Sequence, residues 1–163
     1  MLAEFSTISS EKNRDNPKIT LFGENTETIY QKKAHALIGV SPFNGYFTEE
    51  RLIQLIHWGL TTFDKITVFL PDEISVFTLM ALGYPHKKAA YKTRRQDQYL
   101  KNKIFRAFKF LGLNVFEAQQ SFITMTMLLH NNHYQTLYED CLNRFEKDMD
   151  FKQGCLSTSS WML

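Results

Sequence analysis

The chain has 163 residues, 44% hydrophobic and 22% charged, which suits one globular domain with its own core and excludes a disordered or collagen-like polypeptide. No window approaches the ~20 apolar residues of a membrane-spanning helix, and MLAEFSTISSEKNRDNPK contains no apolar run of the secretory kind, so the expected location is the cytoplasm. Cys141 and Cys155 have neither CxxC spacing nor a neighbouring histidine cluster, which predicts two reduced thiols and no metal site.

Residues 1–30 are polar with weak periodicity and read as an N-terminal leader, with a short strand expected at ITLF (19–22). Residues 31–163 form the expected globular domain. Its first strand is ALIGV (36–40), a continuous apolar run of the sort buried on both faces of a sheet. The chain then turns through Ser41, Pro42, Phe43, Asn44 and Gly45. Thr48 is a candidate helix cap, and Glu49 and Glu50 suit the positive end of the helix dipole. Leu52, Leu55, Ile56 and Leu60 recur at helical spacing, so that helix packs one side on the sheet.

KITVFLPD (65–72) is a second strand, ended by a proline that cannot donate to a ladder. ISVFTLMAL follows as a short apolar helix closed by Gly83. Residues 86–111 form one long helix, with Leu100, Ile104, Phe108 and Leu111 on its core side and Lys88, Lys92, Arg95, Asn102, Arg106 and Lys109 along the opposite face. The window FITMTMLL (122–129) holds either a third strand or a buried helix. From Asn132 the tail is helical, with Tyr134, Leu137, Tyr138, Cys141, Leu142 and Phe145 on one side. Alternating strands and helices predict an α/β fold, a single Rossmann-like domain whose parallel sheet is flanked by helices. Ligands of such a sheet bind beyond the carboxyl ends of its strands, and Ser41 stands at one.

A net charge of +2 points to no class of partner, but its distribution does. Between Lys87 and Lys109 lie nine Lys or Arg and one acid, Asp97, leaving ten basic and sixteen acidic residues elsewhere. Phosphate binding is the natural reason to tolerate such self-repulsion.

Ser41 admits more than one explanation. A Pro-Phe-Asn-Gly turn with an incidental serine is one. A hydrolase elbow, G-x-S-x-G, is disfavoured because Phe43 replaces the last glycine and no Asp and His pair follows convincingly. Gly39 would let a substrate approach the backbone, and Leu37, Val68 and Leu70, alternating on adjacent strands, are either ordinary core or candidates to line an apolar substrate pocket.

Three blocks in order, HALIGVSPFNGYF, then VFLPD, then ALGYPHKKAAYKTRRQ, resemble the cyclodipeptide synthase family, and YQTLYEDCLNRFEKDMDFKQGC resembles the helical region that follows. The resemblance implies a fold similar to the catalytic domains of class I tyrosyl- and tryptophanyl-tRNA synthetases. It also implies an aminoacyltransferase that joins the amino acids of two aminoacyl-tRNAs into a cyclic dipeptide, without ATP or metal. Ser41 then corresponds to the serine that accepts the first aminoacyl group, and Asn44 to an asparagine that holds substrate. The basic helix would meet the tRNA acceptor arm, with Lys88, Lys92, Arg94, Arg95, Lys101 and Arg106 as candidate contacts. The family's second catalytic segment, Tyr-x-x-x-Glu, is absent from the tail and is expected beyond residue 163; Tyr46 and Glu50 match the spacing only by coincidence. The expected state is a monomer, or a species that associates through surface left uncovered. The competing class is a non-catalytic RNA-binding module built on the basic helix.

Overall fold

A computed structural model describes residues 19–23 and 25–162. Most of the expected leader, residues 1–18, lies outside the described residues. The strand expected at 19–22 does not form, and the boundary drawn at residue 30 falls inside a helix, α1 (Thr26–Lys32). Local capping shapes this short polar segment: Thr26 Oγ1 donates to the Gly23 carbonyl (3.0 Å).

After α1 the chain alternates as β1 (His35–Gly39), α2 (Glu49–Thr62), β2 (Lys65–Leu70), α3 (Ser75–Ala81) and α4 (His86–Phe110). It continues through α5 (Val115–Gln120), β3 (Phe122–Thr124), α6 (Met125–Leu129), α7 (Asn132–Lys147) and α8 (Met149–Met162). Local chemistry sets many of these boundaries. Thr48 caps α2 by accepting from Arg51 N–H (3.2 Å), with Glu49 and Glu50 in the first turn. Asn114 and Glu117 close a reciprocal capping box on α5 (3.0 and 2.8 Å). Gly83 and Gly112, at φ +85° and +87°, end α3 and α4 in the left-handed region that glycine enters without strain. The window 122–129 holds the third strand, three residues long, and then a five-residue helix started by the Thr124 cap, no residue of which is buried.

The sheet is parallel in the order β1-β2-β3. Among the described residues β2 is central and buried on both faces, whereas β1 lies at the edge with one buried side: Ile38 is buried and Leu37 is 65% exposed. The two-sided burial expected for ALIGV therefore belongs to KITVFL instead. Ile38, Val40, Ile66, Val68, Leu70 and Phe122 from the sheet meet Leu52 and Ile56 of α2 and Leu100, Ile104, Ala107 and Phe108 of α4 in one core. Burial of these side chains supplies ~1.5–3 kcal/mol each for the larger ones.

The tail is helical, as its periodicity predicts, but Asp148 divides it. The Asp148 carboxylate accepts from Phe151 N–H (2.9 Å) and starts α8, and this hydrogen bond is the first cause holding its pKa below the ordinary carboxylate value. No residue of α7 is buried; Leu137, Tyr138 and Leu142 lie on an exposed apolar stripe.

Candidate active site

Val40 N–H donates to the Phe69 carbonyl (2.9 Å), carrying the ladder one residue past β1 and delivering Ser41 to the carboxyl end of the sheet. Ser41 is exposed, flanked by buried Val40 and Pro42. The loop then folds on itself: Asn44 N–H donates to the Ser41 carbonyl (3.3 Å), and Asn44 Oδ1 accepts from Tyr46 N–H (2.9 Å) in an Asx turn. Asn44 thus shapes the loop with its carbonyl oxygen and keeps its NH2 group free of protein acceptors among the described residues. Among the described residues no hydrogen bond joins Ser41 Oγ to a histidine or a carboxylate.

The ladder register decides which residues can join Ser41. Leu37 pairs with Thr67, Ile38 with Val68 and Gly39 with Phe69. Paired positions in a parallel ladder project to the same face, and successive residues alternate. Leu37 and Gly39 therefore share the face of Thr67 and Phe69, while Val68 and Leu70 project with Ile38 and Val40 into the core. The pocket expected from Leu37, Val68 and Leu70 together does not assemble, because the latter two face the opposite side of the sheet. Phe69, half-buried, is the residue that shares the face of Leu37 and Gly39 instead, and counting parity from Gly39 would have found it had the pairing been known. His35 Nε2, on the same face, lies 2.9 Å from Thr67 Oγ1.

The six basic residues named on α4 are all exposed but do not share one face. Arg94 and Lys101, seven residues apart, line a groove toward β3, whereas Lys88, Lys92, Arg95 and Arg106 do not. Tyr84 gathers two of the latter group: Lys92 Nζ donates to its hydroxyl (3.2 Å) and lies 4.5 Å from its ring centroid, with Lys88 Nζ at 5.6 Å. That hydrogen bond, with the lysine charges, lowers the tyrosine's pKa from its ordinary value. Sequence reasoning passed over Tyr84, although an aromatic residue one to two turns ahead of a basic stripe is a usable signal. Arg106 is spoken for: its Nε and Nη2 donate to Glu49 Oε2 at 2.9 and 2.7 Å. The paired guanidinium holds the Glu49 carboxyl below its usual range.

Among the described residues no helix is long and apolar enough to cross a membrane. The family model described as "Cyclodipeptide synthase" matches residues 18–163. Over 151 residues the chain is 29% identical to the cyclo(L-leucyl-L-leucyl) synthase of Staphylococcus haemolyticus, covering 88% of this chain and 60% of that protein. A cyclodipeptide synthase structure from Bacillus thermoamylovorans superposes with a TM-score of 0.79 at 31% identity, covering 90% of this chain and 62% of that one. A Mycobacterium tuberculosis structure, which demonstrates that cyclodipeptide synthetases are related to type I tRNA synthetases, superposes with a TM-score of 0.74 at 30% identity, covering 83% and 60%. The chain thus spans about three fifths of the length of these relatives.

Proposed function

Because this chain belongs to the cyclodipeptide synthase family, we propose that Ser41 accepts an aminoacyl group from aminoacyl-tRNA as the first half of a cyclic dipeptide synthesis. The observation that carries this reading is Ser41 itself, exposed at the carboxyl end of β1 in a loop pinned by Asn44. Ser41 Oγ attacks the ester carbonyl, the bond to the ribose oxygen breaks, and the hydroxyl proton ends on that leaving oxygen. An ester of this kind is already an activated acyl donor, so ATP and metal are not required and positioning does most of the work. The amine of a second aminoacyl-tRNA then attacks the seryl ester, forming a dipeptidyl-tRNA and freeing Ser41; attack by the dipeptide's own amine on the remaining ester closes the 2,5-diketopiperazine and releases the second tRNA.

Leu37, Gly39 and Phe69 form an apolar floor on the face of β1 and β2 away from the α2–α4 core, which favours a hydrophobic first amino acid. Lys88, Lys92 and Arg95 form the stripe offered to acceptor-arm phosphates, a contact that is salt-sensitive and indifferent to sequence. This stripe equally suits the second reading, a non-catalytic RNA-binding module. Acyl transfer separates the two. Incubation with radiolabelled leucyl-tRNA should leave alkali-labile label on Ser41, absent from Ser41→Ala. A folded protein that binds the tRNA in a salt-dependent manner yet takes up no label on Ser41 overturns the enzyme reading and leaves the binding module.

A further inference from the structure

Lys103 of α4 is placed differently from the six basic residues weighed above as tRNA contacts: it is half-buried, whereas those six are exposed. Its Nζ donates to the Phe47 carbonyl (3.3 Å) and lies 4.4 Å from the centroid of the Tyr99 ring, one turn earlier on the same helix face. Carbonyl and ring hold the ammonium from two sides. The same charge reaches Glu49, whose carboxyl is held low first by its hydrogen bond to Arg106 and then by the charges of Arg106 and Lys103.

Phe47 is where the Ser41 loop ends. Its side chain packs against the core and edge-on to the Tyr46 ring, with centroids 5.2 Å apart, and the next residue, Thr48, caps α2. Its N–H donates to the Asn44 carbonyl (3.4 Å), just as the Asn44 N–H donates to the Ser41 carbonyl (3.3 Å). A continuous series of hydrogen bonds therefore runs from the Lys103 ammonium through the Phe47 and Asn44 peptides to the Ser41 peptide. The two bonds inside the loop are neutral and long, whereas the one from Lys103 has a charged donor, which strengthens it. That bond also joins residues 56 apart in the chain, so it fixes the loop to another element of the fold, which local turn bonds cannot do. At its other end the loop hangs from Val40, whose N–H joins the ladder at the Phe69 carbonyl.

We infer that Lys103 is a positioning residue for acyl transfer: its ammonium pins the far end of the Ser41 loop to α4, the helix whose exposed face is offered to tRNA. The salt bridge from Arg106 to Glu49 (2.7 Å) braces the start of α2 one turn further along α4. A tRNA seated on α4 and the serine that receives its aminoacyl group are then held in one frame, and the distance between them does not depend on the loop's own weak bonds.

The inference rests on acyl transfer to Ser41, and its test keeps the two apart. Lys103→Met retains the apolar stem without the donor or the charge, and Lys103→Arg retains both. At saturating radiolabelled leucyl-tRNA the single-turnover acylation rate should be about tenfold or more lower in Lys103→Met, the effect of a displaced reacting group, and largely recovered in Lys103→Arg. The slope of log K against log salt for tRNA should stay as in the parent, since this ammonium is bound to protein and not to phosphate. In the tRNA-free chain the amide hydrogens of Tyr46 and Phe47 should exchange about tenfold faster in Lys103→Met, the loss of one hydrogen bond from a charged group. A slope lowered by about 0.7–0.9 with an unchanged saturated rate makes Lys103 one more phosphate contact and overturns the inference, as does unchanged amide exchange. If the parent takes up no label, the acyl-transfer reading fails instead, and the exchange comparison alone decides whether Lys103 pins the loop. Should Lys103→Met fail to fold, Lys103→Gln, one atom shorter and uncharged, replaces it in both measurements.

Discussion

Gly39 stands directly opposite Phe69 across the β1–β2 ladder, and a β-carbon added at Gly39 would meet nothing within 4 Å. Among the described residues no side chain occupies the space above this glycine. If an aminoacyl group lies there, Gly39→Ala should fold and melt like the parent yet lose acylation of Ser41 by about tenfold or more, the effect of a misplaced reacting group. Phe69→Ala should instead shift the preference among aminoacyl-tRNAs toward bulkier side chains. Comparing single-turnover acylation with leucyl- and phenylalanyl-tRNA checks both, and unchanged labelling in Gly39→Ala would remove the substrate from this face.

Gly59 presents the opposite case. A β-carbon there would lie 2.9 Å from Ile66 Cγ2 and 3.2 Å from Ile38 Cδ1, so α2 approaches the sheet through a glycine. Alanine is the better helix former by ~1 kcal/mol, but overpacking a β-branched neighbour in a filled core costs ~1–3 kcal/mol. Gly59→Ala is expected to lower stability, by about 1 kcal/mol net, in a urea titration with an unchanged m-value.

Asp97 sets a pH dependence with a definite sign. Its pKa in the folded chain is about 7 against an ordinary 3.8, so between those values the folded state binds the proton that the unfolded state has released. Stability contributed at this site is complete below about pH 4 and is lost as pH rises through 7. The charges facing it are Asp72 and Glu73 from the β2 loop and His86, Arg94 and Lys101 from its own helix. Asp97→Asn should raise the thermal midpoint relative to the parent at pH 8 and leave the difference small at pH 4. A constant difference across that range would mean that the carboxyl ionises normally.

The basic residues of α4 are expected to differ in their dependence on salt. Lys88 and Lys92, held at Tyr84, and exposed Arg95 are open to phosphate, whereas Arg106 must first leave Glu49. Each of Lys88→Ala, Lys92→Ala and Arg95→Ala should reduce the slope of log K against log salt by about 0.7–0.9 for tRNA, and Arg106→Ala by less. Glu49→Gln, which frees the guanidinium, should strengthen tRNA binding at low salt. Filter binding over a salt series measures all five variants.

Short-range chemistry made most of the elements legible in the sequence. Thr48 with Glu49 and Glu50, Gly83 after an apolar helix and the long run from residue 86 mark their boundaries by capping and periodicity, which act within a few residues and need no distant partner. The parallel sheet and the exposed Ser41 at a strand end follow from the same pattern. What only the tertiary structure decided was which face each residue serves. ALIGV and KITVFL are equally apolar runs, yet one became an edge strand and the other the centre, because the order of strands depends on long-range pairing that composition does not encode. The Leu37↔Thr67 register then separated Leu37 from Val68 and Leu70 and brought Phe69 to Gly39, since a shift of one residue inverts every side chain in a strand. Helical spacing already set Arg94 and Lys101 apart from the stripe of Lys88 and Lys92, but that they line a groove beside β3, and that Thr93 and Asp97 stand unpaired within it, was visible only once the walls were in place.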